Sequence, residues 1–297
     1  MDLRGLSYVL VTPFDTNGAV DVGSVRRVTD FAIEAGAKSV VALGVTGEAD
    51  RLVDDERRAV LEAVVAQARG RVPVIAGASH GGTDGALQRT REAARLGAQA
   101  VLVTPPRLEK PNPAAVVEHY RRVGEGGLPI VVQDYPPVSG VTLTAELLVT
   151  ILEKAPLTQY VKLEDPPTPQ KVGEIVGRLG DRVGVFGGLS GLYLLEELAR
   201  GAAGVMTGFP YPEALVEVLE AYWAGDQDAA ARAFDRVLPL IVFEAQPVLG
   251  VAIRKELLRR RGVIAHAAVR APGRGLDAET QLALTRVCER VGLLVEA

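Results

Sequence analysis

Cysteine is almost missing from this sequence. Of 297 residues only Cys288 is one, so neither a disulfide framework nor a thiolate metal site can be built within one chain. A reducing compartment, the cytoplasm, is the expected setting. Histidine is nearly as scarce: His80, His119 and His266 complete the inventory. No spacing of His, Asp or Glu matches a metal site, and neither metal nor cofactor is expected. No run of about 18 apolar residues occurs, and the start MDLRGLSYVLVTPFD lacks the basic-then-apolar plan of a secretory leader. Membrane insertion and secretion are therefore not expected. No basic run exceeds Arg259, Arg260 and Arg261, and the net charge is −4, which leaves no field suited to nucleic acid. Lysine is sparse as well, six of the 33 basic residues, so each one invites a question.

What is present is alternation. Short β-branched apolar runs, at residues 8–12, 39–43, 73–76, 100–104, 130–133, 160–163, 184–186 and 204–206, alternate with amphipathic stretches such as SVRRVTDFAIEAG and VDDERRAVLEAVVAQARG. Strand-helix units joined by short turns demand parallel strands covered on both faces. Eight of them favour an α/β fold of the closed (β/α)8 TIM-barrel type, with a doubly wound open sheet as the alternative. From Asp226 the strands stop and three helical stretches follow, DQDAAARAFDRVLPLIVFEAQ, PVLGVAIRKELLRRRG and DAETQLALTRVCERVGLLVE. The expected division is a barrel over residues 1–225 and a C-terminal helical region over 226–297.

In a parallel barrel, reactive groups belong at the C-terminal ends of strands. Lys162 lies in such a place, in TQYVKLEDPP. Side chains alternate along a strand, so Lys162 and Glu164 point one way while Val161 and Leu163 point the other. If the apolar pair packs on helices, an amine and a carboxylate share the barrel mouth. Burial disfavours an ammonium, and a neutral amine attacks carbonyl carbon. The neighbouring carboxylate opposes that effect, and a buried ion pair is the competing reading. After the second strand, Gly44, Val45, Thr46, Gly47 and Glu48 offer backbone N–H groups and a hydroxyl suited to a carboxylate, or merely a turn; Glu48 reads better as an anchoring acceptor than as an acid. Gln133 and Tyr135, at the end of the fifth strand before two prolines, share one parity and could orient a substrate hydroxyl. His80 follows the third strand. Gly188, in the run 186–191, and Thr207 stand at the ends of strands seven and eight, where small residues leave room for a ligand. Arg107 and Ser139 are further candidates for contacting hydroxyls.

These pieces together resemble the dihydrodipicolinate synthase and N-acetylneuraminate lyase superfamily. The likeness runs through Thr12-Pro13-Phe14, Gly44-Val45-Thr46-Gly47-Glu48 against Gly-Thr-Thr-Gly-Glu, Thr104-Pro105-Pro106, the segment 136–140 and the lysine strand. It implies a barrel with C-terminal helices, a homotetramer, and Lys162 as the amine that forms a Schiff base with a small 2-oxo acid whose carboxylate is held by the 44–47 loop. There are departures. The synthase signature Tyr-Asn-Val-Pro-Ser-Arg-Thr-Gly puts its tyrosine on Gln133 and its arginine on Val138; Val45 replaces the first loop threonine, and Pro106 or Arg107 replaces an aromatic residue. An apolar Val138 cannot grip a carboxylate as arginine does, which argues against dihydrodipicolinate synthesis unless Tyr135 substitutes through a shifted loop.

Gln-Asp-x-Pro-x-x-Ser-Gly with Lys-x-Glu is similar to the 2-keto-3-deoxy-L-arabonate dehydratase branch. That resemblance implies a hydro-lyase with Lys162 as the Schiff-base amine, Glu164 as acid and base, and no cofactor beyond the covalent adduct. A pyruvate-dependent aldolase is the nearest alternative, and a non-catalytic barrel that binds a sugar acid is the alternative of another class.

Overall fold

The computed structural model describes residues 1–110 and 112–293. Among them, eight strands pair in chain order and close on themselves: β1 (Gly5–Val9), β2 (Ser39–Ala42), β3 (Val74–Gly77), β4 (Ala100–Val103), β5 (Ile130–Asp134), β6 (Thr158–Leu163), β7 (Gly184–Gly187) and β8 (Gly204–Thr207). Every pairing is parallel, including β1 with β8. The (β/α)8 expectation holds, and the open doubly wound sheet is excluded by that last pairing.

Helices α1 (Val22–Glu34), α2 (Asp54–Ala68), α3 (Thr83–Leu96), α4 (Pro113–Gly124), the single turn α5 (Pro136–Ser139), α6 (Ala145–Lys154), α7 (Thr168–Leu179), α8 (Leu194–Leu198) and α9 (Pro212–Trp223) form the outer ring. Their starts are written in the sequence: Asp21, Asn112 and Thr144 each accept a backbone N–H three residues on, which satisfies an otherwise orphaned donor. Past Asp226 come α10 (Gln227–Glu244), α11 (Gly250–Arg260) and α12 (Ala278–Arg290). The sequence pattern carries the last helical stretch to residue 296; α12 ends before it, and residues 294–296 lie outside the described residues.

Alternation along the strands separates two apolar layers. Val9, Val41, Ile75, Leu102, Val131, Tyr160, Phe186 and Met206 fill the barrel interior as one cluster, while their neighbours Tyr8, Val40, Val101, Val132, Val161 and Val205 join the cluster shared with the helices. Full burial of such side chains stabilises by about 1.5–3 kcal/mol each, so the interior is a packed plug and any ligand must sit above it.

Two strands depart from the sequence pattern by more than one residue. The first strand, expected at residues 8–12, runs Gly5–Val9 instead. Gly5, Leu6 and Ser7 pair with β8, while Thr12 and Pro13 leave the ladder, where proline has no N–H to give. The sixth begins at Thr158 and carries a register shift opposite Ile130 and Val131, because Tyr160 pairs with Val131 where Gln159 would be expected. An extra residue of this kind re-aims the side chains beyond it, and here it sets Lys162 beside Gln133.

Candidate active site

β5 and β6 position the reactive groups. Gln133 pairs in register with Lys162, and Lys162 with Phe186 of β7. Lys162 thus stands one step above Tyr160 on the inward face, roofing the apolar plug. The strand neighbours face outward: Asp134 accepts from Lys171 of α7 at 2.8 Å, and Lys171 also reaches Asp165 at 2.7 Å. Burial first of all pushes the Asp134 carboxyl up to about 6, against the pull of Lys171. The ladder continues one residue past β6, with Glu164 N donating to Asp134 O at 3.0 Å, so Glu164 keeps the inward parity of Lys162.

The resulting triad is compact. Lys162 Nζ lies 3.2 Å from Glu164 Oε1, and Gln133 Nε2 donates to Glu164 Oε2 at 2.6 Å. The side chains of Lys162 and Glu164 are 6% and 12% exposed: sheltered, yet open at one end. Gly188 makes room for the carboxylate, since a Cβ there would lie 2.2 Å from Glu164 Cγ. Tyr135 lies past the end of β5, half-buried and near enough to feel Glu164. Burial raises its phenol, Glu164 adds to that, and Arg254 opposes it.

The 44–48 loop closes another side. Gly47 N donates to Gly44 O at 3.0 Å and Thr12 Oγ1 donates to Gly47 O at 2.7 Å. Glu48 is 1% exposed and has left-handed backbone, φ 52°. It accepts from Lys255 Nζ, from Arg270 N at 2.8 Å and from Arg51 Nη1 at 3.2 Å, which makes it the anchor of the loop. Val45 is partly exposed and Thr46 buried.

Three sequence candidates stand apart from this group. His80 is exposed; its Nδ1 accepts from Gly82 N at 3.0 Å and its ring leaves no room for a side chain at Gly85, so it locks the entrance to α3. Ser139 Oγ donates to Tyr135 O or Val141 O and accepts from Val141 N at 3.1 Å, closing the α5 turn. Thr207 has the parity of Val205, which packs on the helix layer, and its buried hydroxyl has no partner among the described residues. Arg107 sits in the loop after β4, with its N–H donating to Gly81 O at 3.1 Å. Val138 is 48% exposed.

Sequence reasoning missed Arg254. It comes from α11 and reaches back to donate to Thr46 Oγ1 at 2.6 Å, to Ser190 Oγ at 2.8 Å and to the buried Glu244. Burial holds it below its ordinary value, at about 10, against the attraction of Tyr8, Glu164 and Tyr135. Nothing in IRKELLRRR distinguishes this arginine from Arg259, Arg260 and Arg261; only contacts over 208 residues do. Among the described residues no group of three or more His, Cys, Asp or Glu could hold a metal, and no helix is long and apolar enough to cross a membrane.

Comparison with known proteins agrees with this fold. The model of the dihydrodipicolinate synthetase family matches residues 2–291. The L-2-keto-3-deoxyarabonate dehydratase of Azospirillum brasilense is 34% identical over 98% of this chain and 96% of its own. A 4-hydroxy-tetrahydrodipicolinate synthase of Acidobacterium capsulatum is 30% identical over 100% of this chain and 98% of its own. The crystal structure of dihydrodipicolinate synthase from Rhodopseudomonas palustris superposes with a TM-score of 0.91 at 31% identity, covering 97% of both chains.

Proposed function

The chain belongs to the dihydrodipicolinate synthetase family and is a lyase of that family, and we propose that it dehydrates a 2-keto-3-deoxy sugar acid through a Schiff base on Lys162. The observation that carries this reading is the inward triad: an amine 3.2 Å from a carboxylate whose other oxygen is fixed by an amide at 2.6 Å.

Those positions support the following chemistry. Lys162 Nζ adds to C2 of the 2-oxo acid, and loss of water gives an iminium that acidifies the C3 protons. Glu164, held by Gln133, removes one of them. The enamine then expels the C4 hydroxyl, which leaves as water with the proton that Glu164 returns. Tautomerisation and hydrolysis free the amine. On a five-carbon acid such as 2-keto-3-deoxy-L-arabonate the product is 2-oxoglutarate semialdehyde, the substrate less one water. A general acid-base placed in this way contributes on the order of 10²–10⁴ in rate.

Two features favour dehydration over synthesis. Gln133 stands where the synthase signature has tyrosine, and its amide serves Glu164, which removes a hydroxyl relay and supplies a fixed proton carrier. Val138 is exposed and uncharged, which leaves an aldehyde's carboxylate without its arginine. In solution the chain is proposed to be a homotetramer of the cytoplasm that needs no metal.

The test is product analysis with 2-keto-3-deoxypentonates on wild type and Glu164→Gln. Wild type is expected to lose water from the substrate. The variant is expected to lose turnover by at least about 100-fold while pyruvate and borohydride still trap an adduct on Lys162. Release of pyruvate by wild type would move the assignment to an aldolase, and absence of any adduct would move it to a binding protein. Unchanged turnover in the variant removes Glu164 from the mechanism.

A further inference from the structure

We propose that Arg254 is a positioning residue of this site: by donating to both Thr46 and Ser190 it turns their two hydroxyls into a pair of oriented donors for the substrate carboxylate. The inference rests on the Schiff-base reading of the site and deepens it by adding a residue from α11 and a contact, Ser190, on the loop after β7.

The geometry is specific. Arg254 Nη1 lies 2.6 Å from Thr46 Oγ1 and Nη2 lies 2.8 Å from Ser190 Oγ. A guanidinium has no acceptor, so each hydroxyl must accept here, and its own proton is left to donate. Among the described residues neither hydroxyl donates to a protein acceptor. Both residues are buried, Thr46 at 8% and Ser190 at 7%. Buried donors normally find a partner, and a hydroxyl that already accepts from a cation is polarised into a better donor. An anion between them satisfies both.

Their surroundings locate that anion. Thr46 belongs to the 44–48 loop, and its Cγ2 would touch a Cβ at Gly208, two residues beyond Met206 of the barrel interior. Ser190 follows Gly188, which packs on Glu164. Arg254 itself feels Glu164 and Tyr135. The two hydroxyls therefore flank the mouth on the side of the lysine and carboxylate. Ser190 is also held at φ 61° and Leu189 at φ 45°, a left-handed conformation that non-glycine residues avoid and that surrounding structure must impose. Behind the arginine, Glu244 is fully buried and accepts from its Nε, so most of the positive charge is neutralised locally. What reaches the substrate is fixed donor geometry.

The experiment compares two ketones on wild type, Ser190→Ala, Arg254→Lys, Arg254→Met and the Ser190→Ala/Arg254→Met double variant. Pyruvate carries a carboxylate; hydroxyacetone is an uncharged ketone. Borohydride trapping at graded concentrations, read by intact mass, gives the half-maximal concentration for each. Ser190→Ala and Arg254→Met should each raise that value for pyruvate by about tenfold, with hydroxyacetone unchanged. The double variant should be no weaker than Arg254→Met, because the serine has lost its orienting partner. Arg254→Lys keeps the charge but lacks the rigid planar fork that fixes both hydroxyls at once, and should fall between wild type and Arg254→Met.

Unchanged pyruvate trapping in Ser190→Ala overturns the proposal, as does an equal loss for both ketones, which would mean that Arg254 only props the fold. Should Arg254→Met fail to fold, Ser190→Ala and Arg254→Lys decide. If wild type traps neither ketone, the Schiff-base reading fails instead. Pyruvate binding by calorimetry on the same variants then judges the subsite, with an unchanged Kd in Ser190→Ala counting against it.

Discussion

At the scale of single residues, the site depends as much on what is small as on what is reactive. Gly188 carries no chemistry, yet a methyl there would lie 2.2 Å from Glu164 Cγ and 3.0 Å from Leu163 O. Neither neighbour can yield cheaply: one is the carboxylate that Gln133 holds, the other is backbone that accepts from Gly188 N at 2.8 Å. Gly188→Ala is expected to displace Glu164 from Lys162 and cut turnover about 100-fold or more, the range of a lost acid-base group. Pyruvate trapping on Lys162 should persist, and steady-state kinetics beside trapping checks both halves. The same reasoning shows what is legible in the sequence. Lys162, Glu164 and Gln133 can be found there because strand alternation places them without reference to anything distant. His80, Ser139 and Thr207 are candidates only by lying near strand ends. A short loop can use its own hydroxyl or ring to close itself, and this is where His80 and Ser139 are spent.

At the scale of elements, each helix is fitted to the strand beneath it, and one fit leaves a titratable group stranded. Glu197 of α8 is 1% exposed; it accepts from Thr168 Oγ1 at 2.5 Å, and its Oε2 has no partner among the described residues. It fits because β7 presents a glycine: a Cβ at Gly187 would lie 1.6 Å from Oε2. Burial pushes this carboxyl from 4.5 up to about 8. The folded chain therefore keeps a proton that the unfolded chain releases from pH 4.5 upward. Stability is fullest below that pH and declines as pH rises toward 8. Glu197→Gln removes the decline. Urea unfolding at pH 5, 6.5 and 8 should show the variant gaining on wild type with each step, by on the order of a few kcal/mol at pH 8. A constant difference across those pH values would mean that Glu197 is not held protonated. Sequence pattern reveals β7 as an element but not its fit to α8, because periodicity reports which face is apolar and says nothing of which acid the opposing strand leaves room for.

At the scale of the whole molecule, the C-terminal helices are tied to the mouth of the barrel by charge as well as by apolar packing. Lys255 of α11 is 0% exposed, donates to Glu48 and to Ala268 O at 2.8 Å, and lies 4.2 Å above the ring of Phe14. Arg270, beyond α11, lies 4.4 Å from the same ring, and its N–H shares Glu48. The barrel and the three later helices are both readable from period and length. The ties between them are not, because they join residues more than 200 positions apart and a lone sequence holds no signal for such pairs. They imply that the two regions unfold together. Burial draws Lys255 down to about 8 while Glu48 resists, so the pair is costly to keep and costlier to halve: Lys255→Met leaves Glu48 buried with fewer partners and should destabilise by about 3 kcal/mol. Adding Glu48→Gln removes the uncompensated charge and should recover part of that loss. Unfolding in urea, followed by far-ultraviolet circular dichroism and by the fluorescence of Trp223, the single tryptophan, should give one coincident transition in all three proteins. Two separated transitions in wild type would show that the helical region is an independent unit, and the reach of α11 into the site would then need another cause than this anchor.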